Sequence, residues 1–481
     1  MGFRRRNWRI GVALGLALGV VAAAAILMTL QHVAIAPRLL APYVAKRSQG
    51  HNPTIVAFGQ WLSGMIMDRD RDSTPALAPL RQIGAQERPV ALPSVAREVL
   101  VSSSDDARTA ILAARPGDLI TFLPGVYRFH GGLKNGPAGL ADAPITVAAR
   151  VPGSVLIEMD AEEGFKVAAP YWTFQNLVIH GVCARHTDCE HAFHVVGAAA
   201  HFRALNNTIS DFNAHFKING EGGQFPDQGL IEGNTLTNSQ VRNTANPVTP
   251  IDLVAASGWV VRNNFISDFI KGDGNQVSYG AFAKGGGGHN RFEQNIVQCE
   301  QHLRGFPGQR VGLSLGGGST ARTFCRDSRC ITEQEDSTIA ANLILSCSDD
   351  GIYLNSAARS SLTHNTLLDT GGISVRFPTS SALVVGNLVD GAMRSRNGGL
   401  LHAEDNRSTS TALLYLGLHP VRSLFLDSGA GRLDWAGQPP HRRALQAGLP
   451  DLCSAAPRGA APAYGAFERF SACQRDTAGI P

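Results

Sequence analysis

Asparagine recurs immediately before a short apolar run: FQNLVI at Asn176, LNNTIS at Asn207, EGNTLT at Asn234, RNNFIS at Asn264, EQNIVQ at Asn295, AANLIL at Asn342, THNTLL at Asn365 and VGNLVD at Asn387. Successive steps are 31, 27, 30, 31, 47, 23 and 22 residues. A period of this size, carrying one short alternating strand and Gly-rich turns, predicts a β-solenoid. Each coil exposes backbone groups that the coils above and below can satisfy. Asn side chains at one station can then hydrogen-bond along the stack as a ladder.

The 481 residues include 52 Gly and are 44% hydrophobic, which suits one long all-β solenoid with many tight turns. The net charge of +4 is contributed by Arg4, Arg5, Arg6 and Arg9, so nothing in the folded part points to nucleic acid. After those arginines, residues 10–30 carry no charge. As a helix they would rise about 30 Å, the hydrocarbon thickness of a bilayer, and they exceed a signal-peptide core. Basic residues ahead of the span place the N-terminus in the cytoplasm and the rest outside. Cleavage at Ala34-Ile35-Ala36 is the alternative, opposed by Pro37. Eight cysteines fit the exported placement. Cys183 and Cys189, Cys325 and Cys330, and Cys453 and Cys473 are close in sequence, while Cys299 and Cys347 follow the Asn of consecutive coils and can meet in space.

Four regions are expected: a cytoplasmic basic tip and transmembrane anchor over 1–36, a periplasmic linker over 37–97, the β-helix with its N-terminal cap over 98–406, and a C-terminal cap and tail over 407–481. From Ser104 the sequence predicts a capped helix with Ala and Leu on one face, able to cover the open end of the first coil. The 47-residue step holds an insertion over 320–336 with Cys325 and Cys330 at its tip.

PGDLITFLPGVYR at 116–128, the Asn-ended coils, DDGIYLNSAARSSLTHNTLLD at 349–369 and the tail AYGAFE resemble exported right-handed parallel β-helix proteins around polysaccharide lyase family six, which includes alginate lyases and chondroitinase B. The resemblance covers roughly residues 98 to 470. It implies an all-β, right-handed parallel β-helix that meets an anionic, uronate-containing polysaccharide. A monomer at the inner membrane is expected, single-pass, with the β-helix in the periplasm or outside the cell.

Aligning the segment before each coil's Asn gives two outward columns, because side chains alternate faces along a strand. One reads Lys166, His194, Lys217, Asp252, Phe282, Leu313, Tyr353, Ser374; the next reads Ala168, Val196, Asn219, Val254, Lys284, Leu315, Asn355, Arg376. The resemblance implies a base at Lys284, in AFAKGGGGHN, with His194 or His289 as substitutes. β-Elimination needs a base beside the uronate carboxylate and a cation to neutralise that carboxylate. The family's partner Arg falls on Leu315, so Arg310, Arg376 or Lys217 must serve, with Tyr279 or Tyr353 as acid to the leaving oxygen. Gly285 to Gly288 would let a sugar approach the backbone, and Asn219, Asp252, Tyr353 and Asn355 would bind it. No metal site is expected, because the stretch where family calcium ligands would lie reads Asn275-Gln276-Val277-Ser278-Tyr279. Hydrolysis or epimerisation on the same fold is a second class, with Asp349 and Asp350 paired for hydrolysis and Asp252 and Asp273 as partners. An envelope polysaccharide binder without turnover is the third.

Overall fold

The computed structural model describes residues 2–77, 79–95, 97–317, 320–442, 448 and 450–474. Three long sheets of twelve, eleven and ten strands run the length of a solenoid, each built from every successive coil. The twelve-stranded sheet runs from Arg97–Val101 to Leu400–Glu404, the eleven-stranded one from Gly125–His130 to Arg407–Ser408, and the ten-stranded one from Leu133–Lys134 to Ala392–Arg396. Coil pairs such as Thr208–Ser210 with Thr235–Thr237 are parallel and in register, so this is a parallel β-helix. Its core is one continuous file of buried Phe, Val, Ile and Leu, including the stacked rings of Phe165, Phe193 and Phe216.

The asparagines form the ladder at the corner between the twelve- and eleven-stranded sheets. The Nδ2 of Asn207 donates to Oδ1 of Asn234 at 3.0 Å, and the same bond links Asn234 to Asn264 and Asn264 to Asn295. Backbone N–H groups reinforce it, Asn234 donating to Asn264 Oδ1 at 2.9 Å. The file continues through Asn342, Asn365 and Asn387 to Asn406. Asn176 is not in it. Its φ of 62° puts it at the left-handed corner position that Asn206 holds one coil later, and Leu177 takes the ladder station, its N–H bonding Asn207 Oδ1 at 3.0 Å. A short polar side chain tolerates the left-handed region, so Asn suits both neighbouring stations and the one-letter pattern alone does not separate them. Replacing Asn264 by Leu strips acceptors from the N–H and Nδ2 of Asn234 in a fully buried corner. We expect a loss of about 1–3 kcal/mol, read as a lowered chemical-denaturation midpoint.

The first coil is covered by helix α4 (Ser104–Leu112), after helices α1 (Gly2–Val33), α2 (Pro37–Ser48) and α3 (Pro53–Asp70). Ser103 caps α4 by accepting from Asp106 N, and Ala107 and Ile111 bury against the coil. Within α1, Leu14–Val33 is long and apolar enough to cross a membrane and is unburied. Helices α2 and α3 pack as an antiparallel hairpin where the sequence predicts a linker. Residues 71–77 and 79–95 then run down the outside of the solenoid: Gln298 Nε2 donates to Pro75 O, Gly84 N to Asn263 O, and Val90 N to Asn176 Oδ1. The C-terminal region, beginning with α5 (Thr411–Tyr415), lies along the flank of the eleven-stranded sheet. That sheet's outer face carries Ile296, Leu343, Leu345, Leu368 and Leu388, and Phe425, Leu433, Phe467 and Phe470 cover it. An apolar outer face needs such a cover, which draws the tail to the flank. All four cysteine pairs form: Cys183–Cys189, Cys299–Cys347, Cys325–Cys330 and Cys453–Cys473.

Candidate functional site

The polar columns lie on the outer face of the ten-stranded sheet. In register, the first runs Lys166, His194, Lys217, Asp252, Phe282, Ser314, Tyr353, Ser374 and Arg394. Ser314, not Leu313, continues it. Leu313 pairs with Ala281 and Leu315 with Ala283, and both leucines are fully buried in the core. A shift of one residue moves a strand's whole side-chain set to the opposite face. Lys284 is therefore followed by Gly316, then Asn355, Arg376 and Arg396. Gly316, with a φ of 74°, is buried, and a Cβ on it would run into the carbonyl of Asn355 on the next coil, so the coils close tightly at this station. A Cβ on Gly317 would run into Cδ of Lys284, so the lysine stem lies across the glycine of the next coil.

The lower half of this face is internally neutralised. Lys217 Nζ donates to Asp252 Oδ2 at 2.7 Å. Burial works against the Asp252 carboxylate, but Lys217 and then Lys284 outweigh it and hold it below the usual aspartate range. Its second oxygen, Oδ1, is buried with no hydrogen-bond partner among the described residues. His194 faces Glu163 Oε1 through Nδ1 at 2.5 Å and Asn219 Oδ1 through Nε2 at 2.7 Å, and Asn219 is oriented by donating to Gly220 O. Both ring nitrogens of His194 are thus engaged by neighbouring side chains. Its neighbour His191, which sequence reasoning did not single out, is kept neutral at about 4 by burial and by His194 and Lys217.

The upper half is different. Lys284 makes no ion pair within 4.0 Å among the described residues; its ammonium lies 4.4 Å from the centroid of the Phe282 ring. Arg376 donates to the Tyr353 hydroxyl at 3.3 Å and rests on the Phe377 ring. Asn355 Oδ1 and Arg376 Nε are buried without hydrogen-bond partners among the described residues. Tyr279 packs edge-on against Phe282, and burial followed by the charges of Asp349 and Asp350 raises its phenol well above the ordinary value, so it stays a proton donor. Arg310 does not belong to this face. It is buried, with Nε 3.4 Å from Glu300 and its other nitrogens bonded to the carbonyls of Phe306 and Gly308. A guanidinium has no acceptors, so its fork is spent on the 306–308 turn, and it cannot neutralise a substrate.

The glycine run also has another role. Gly285 N donates to Glu333 Oε2, Gly286 N to Glu333 O, and Gly285 O accepts from Arg326 N, so the insertion already occupies this backbone. A Cβ at Gly287 would collide with Ala256 O of the preceding coil. The glycines let coil and insertion close on each other and offer no free edge to a sugar. Asp273 is exposed on the preceding turn.

At the corner leading into Ile352–Asn355 stand Asp349 and Asp350. Asp350 is bonded by Arg394 at 3.1 Å. Asp349 accepts from Gln309 Nε2 at 2.7 Å, and burial together with the charge of Asp350 pushes it up to about 7. A carboxyl whose folded value exceeds its ordinary 3.8 binds a proton more tightly when folded, so its contribution to stability is full below 3.8 and is lost as pH rises towards about 7. Asp349→Asn should flatten the melting temperature across that window; an unchanged pH profile would remove the perturbed carboxyl. Among the described residues, no group of three or more His, Cys, Asp or Glu is placed to hold a metal ion.

No family model and no curated protein matches the chain. Its fold is similar to that of solved polysaccharide lyases. Pectate lyase Pel9A is 15% identical, with 78% of this chain and 97% of that one covered and a TM-score of 0.49. A mannuronic acid specific family 6 lyase from human gut microbiota is 14% identical, with 68% and 85% covered and a TM-score of 0.40. An alginate lyase from Paenibacillus sp. str. FPU-7 is 13% identical, with 65% and 95% covered and a TM-score of 0.37. At these identities the likeness is one of fold.

Arg394 and Arg396 were not read from the sequence as part of the columns. Their signal was there: MRSR at 393–396 repeats the alternation of ISVR at 373–376 one coil on.

Proposed function

We propose that this protein binds an anionic, uronate-containing polysaccharide along the outer face of the ten-stranded sheet and cleaves it by β-elimination, with Lys284 as base. The observation that carries this reading is Lys284 itself. Among the described residues its amine has no carboxylate within ion-pair distance, so no ion pair opposes the neutral form whose lone pair would take the proton, and its stem lies across Gly317 on a polar face. Arg376 stands three coils further on, roughly 14 Å along the axis at the usual strand spacing. It therefore engages the carboxylate of a neighbouring sugar, with Tyr353, while Asn355 meets the unit between. Tyr279, held protonated, is the donor to the leaving oxygen. Lys217 and Asp252 bind as a neutral pair.

Hydrolysis is the second reading, favoured by Asp349, a carboxyl raised to about 7 beside Tyr353's coil. The two are separated by incubating the protein with a panel of uronate polymers and assaying unsaturated and reducing ends independently. Unsaturated ends support elimination, reducing ends alone support hydrolysis, and neither with retention on a polymer column leaves a binder. We place the solenoid outside the cytoplasm, anchored by Leu14–Val33, because Arg4, Arg5, Arg6 and Arg9 precede the span and all eight cysteines are paired.

A further inference from the structure

The α2–α3 hairpin carries an apolar surface that none of the described residues covers. Along α3, Ile55 is 46% exposed, Phe58 59%, Trp61 59% and Met65 39%. Their spacing of three or four residues puts them on one face of the helix. The opposite face is already used: Gly59 meets Ser48 and Ser63 Oγ donates to Ala41 O, both in α2. Phe58 and Trp61 lie 5.6 Å apart between centroids, forming one aromatic patch. On α2, Tyr43 is exposed beneath the Arg47 guanidinium, which donates to its hydroxyl at 3.0 Å.

Charge follows the same pattern. All 39 acidic residues of the chain lie at Asp68 or beyond, so the hairpin up to that point has no negative side chain. Lys46 and Arg47 are both exposed near its turn. Apolar and aromatic residues with a basic edge and no acids match the boundary between headgroups and acyl chains of an anionic leaflet. Chain length requires proximity. Only residues 34–36 separate the end of α1 from the start of α2, which allows no more than about 14 Å between them.

We propose that the α2–α3 hairpin is a docking arm for the outer surface of the membrane. Ile55, Phe58, Trp61 and Met65 enter the acyl boundary, and Lys46 and Arg47 meet lipid phosphates. This rests on the reading that Leu14–Val33 spans the bilayer. The arm is also rigidly joined to the solenoid, since Arg38 of α2 pairs with Asp70 and with Asp369 of a late coil. Docking thus sets one tilt of the solenoid to the membrane, where a span on a free tether would set none.

The test uses the full chain reconstituted in nanodiscs of phosphatidylcholine and phosphatidylglycerol, with and without bromine on the acyl chains near the carbonyl. The emission of wild type minus that of Trp61→Phe isolates Trp61 from Trp8 and Trp435 and from the buried Trp172 and Trp259. The expected result is a roughly two-fold fall of the Trp61 signal in brominated discs. Resistance to carbonate extraction, measured on the same full chain in native membranes, tests the span separately. A carbonate-resistant protein whose Trp61 emission ignores bromine overturns the arm and leaves the span standing. The same insensitivity with two copies per disc assigns the patch to a second copy of the chain and overturns the lipid proposal. Release by carbonate overturns the span and with it the hairpin's placement at the bilayer.

Discussion

Lys284→Ala should lower turnover on a uronate polymer by about 10²- to 10⁴-fold, the range expected when a positioned general base is removed. Binding and thermal stability should change little, because Lys284 makes no ion pair among the described residues and its stem only crosses Gly317. The split between binding and turnover distinguishes a base from a simple contact. Arg376→Ala should instead weaken binding together with turnover, since a carboxylate clamp acts in ground and transition states alike. Steady-state kinetics on defined oligosaccharides, with calorimetric binding in parallel, measure both. Full activity in Lys284→Ala would move the chemistry to another group, Asp349 first.

Arg38→Met should produce the largest structural effect. Arg38 is fully buried, with Nε 2.9 Å from Asp70 and Nη2 3.0 Å from Asp369, and it donates to the carbonyl of Cys347 at 2.8 Å. Removing the cation strands the buried carboxylate of Asp70, and breaking a buried pair in this way costs about 3–5 kcal/mol. Asp369 keeps Arg71 at 3.1 Å and Arg304 at 3.3 Å, whereas Asp70 has Arg38 as its ion-pair partner among the described residues. The least costly escape is for the hairpin to leave the solenoid, letting water reach Asp70. Limited proteolysis should then cut within 37–70 at a protease dose that spares wild type, with a lower first melting transition. Adding Asp70→Asn to Arg38→Met should recover part of the loss, because the stranded charge goes too. Wild-type resistance in Arg38→Met would show that the hairpin is held by other contacts.

Much of the architecture could be read from local repetition. A ladder asparagine must recur once per coil wherever coils differ in loop length, so its spacing marks the coils even across the 47-residue step. The capped helix from Ser104, the cysteine partners and seven of the eight members of the first column followed from the same local signals. The eighth failed at VGLSLGG, where aligning Leu313 with Phe282 placed a core leucine outside. Alternation alone would have corrected it, since Leu313 and Leu315 flank Ser314 as Ala281 and Ala283 flank Phe282.

What the chain by itself determined is the coil: its period, its corner asparagines, its inward apolar file and the helix that closes its first turn. These depend on neighbours a few residues away or one repeat away, and such neighbours leave a periodic trace. Only the tertiary structure decided which polar residues remain free. Arg310 and Lys284 read alike as basic residues near a strand, yet Arg310 is buried against Glu300 and a turn while Lys284 is half-buried with its stem across Gly317. The glycines after Lys284 looked open until Glu333 and Arg326 of the insertion were found on them. Arg38 finds Asp369 more than three hundred residues away, which folds a supposed linker into a docked arm. The free energy of a charge depends on burial and on the partner that reaches it, and both are set by packing between segments that no periodicity connects.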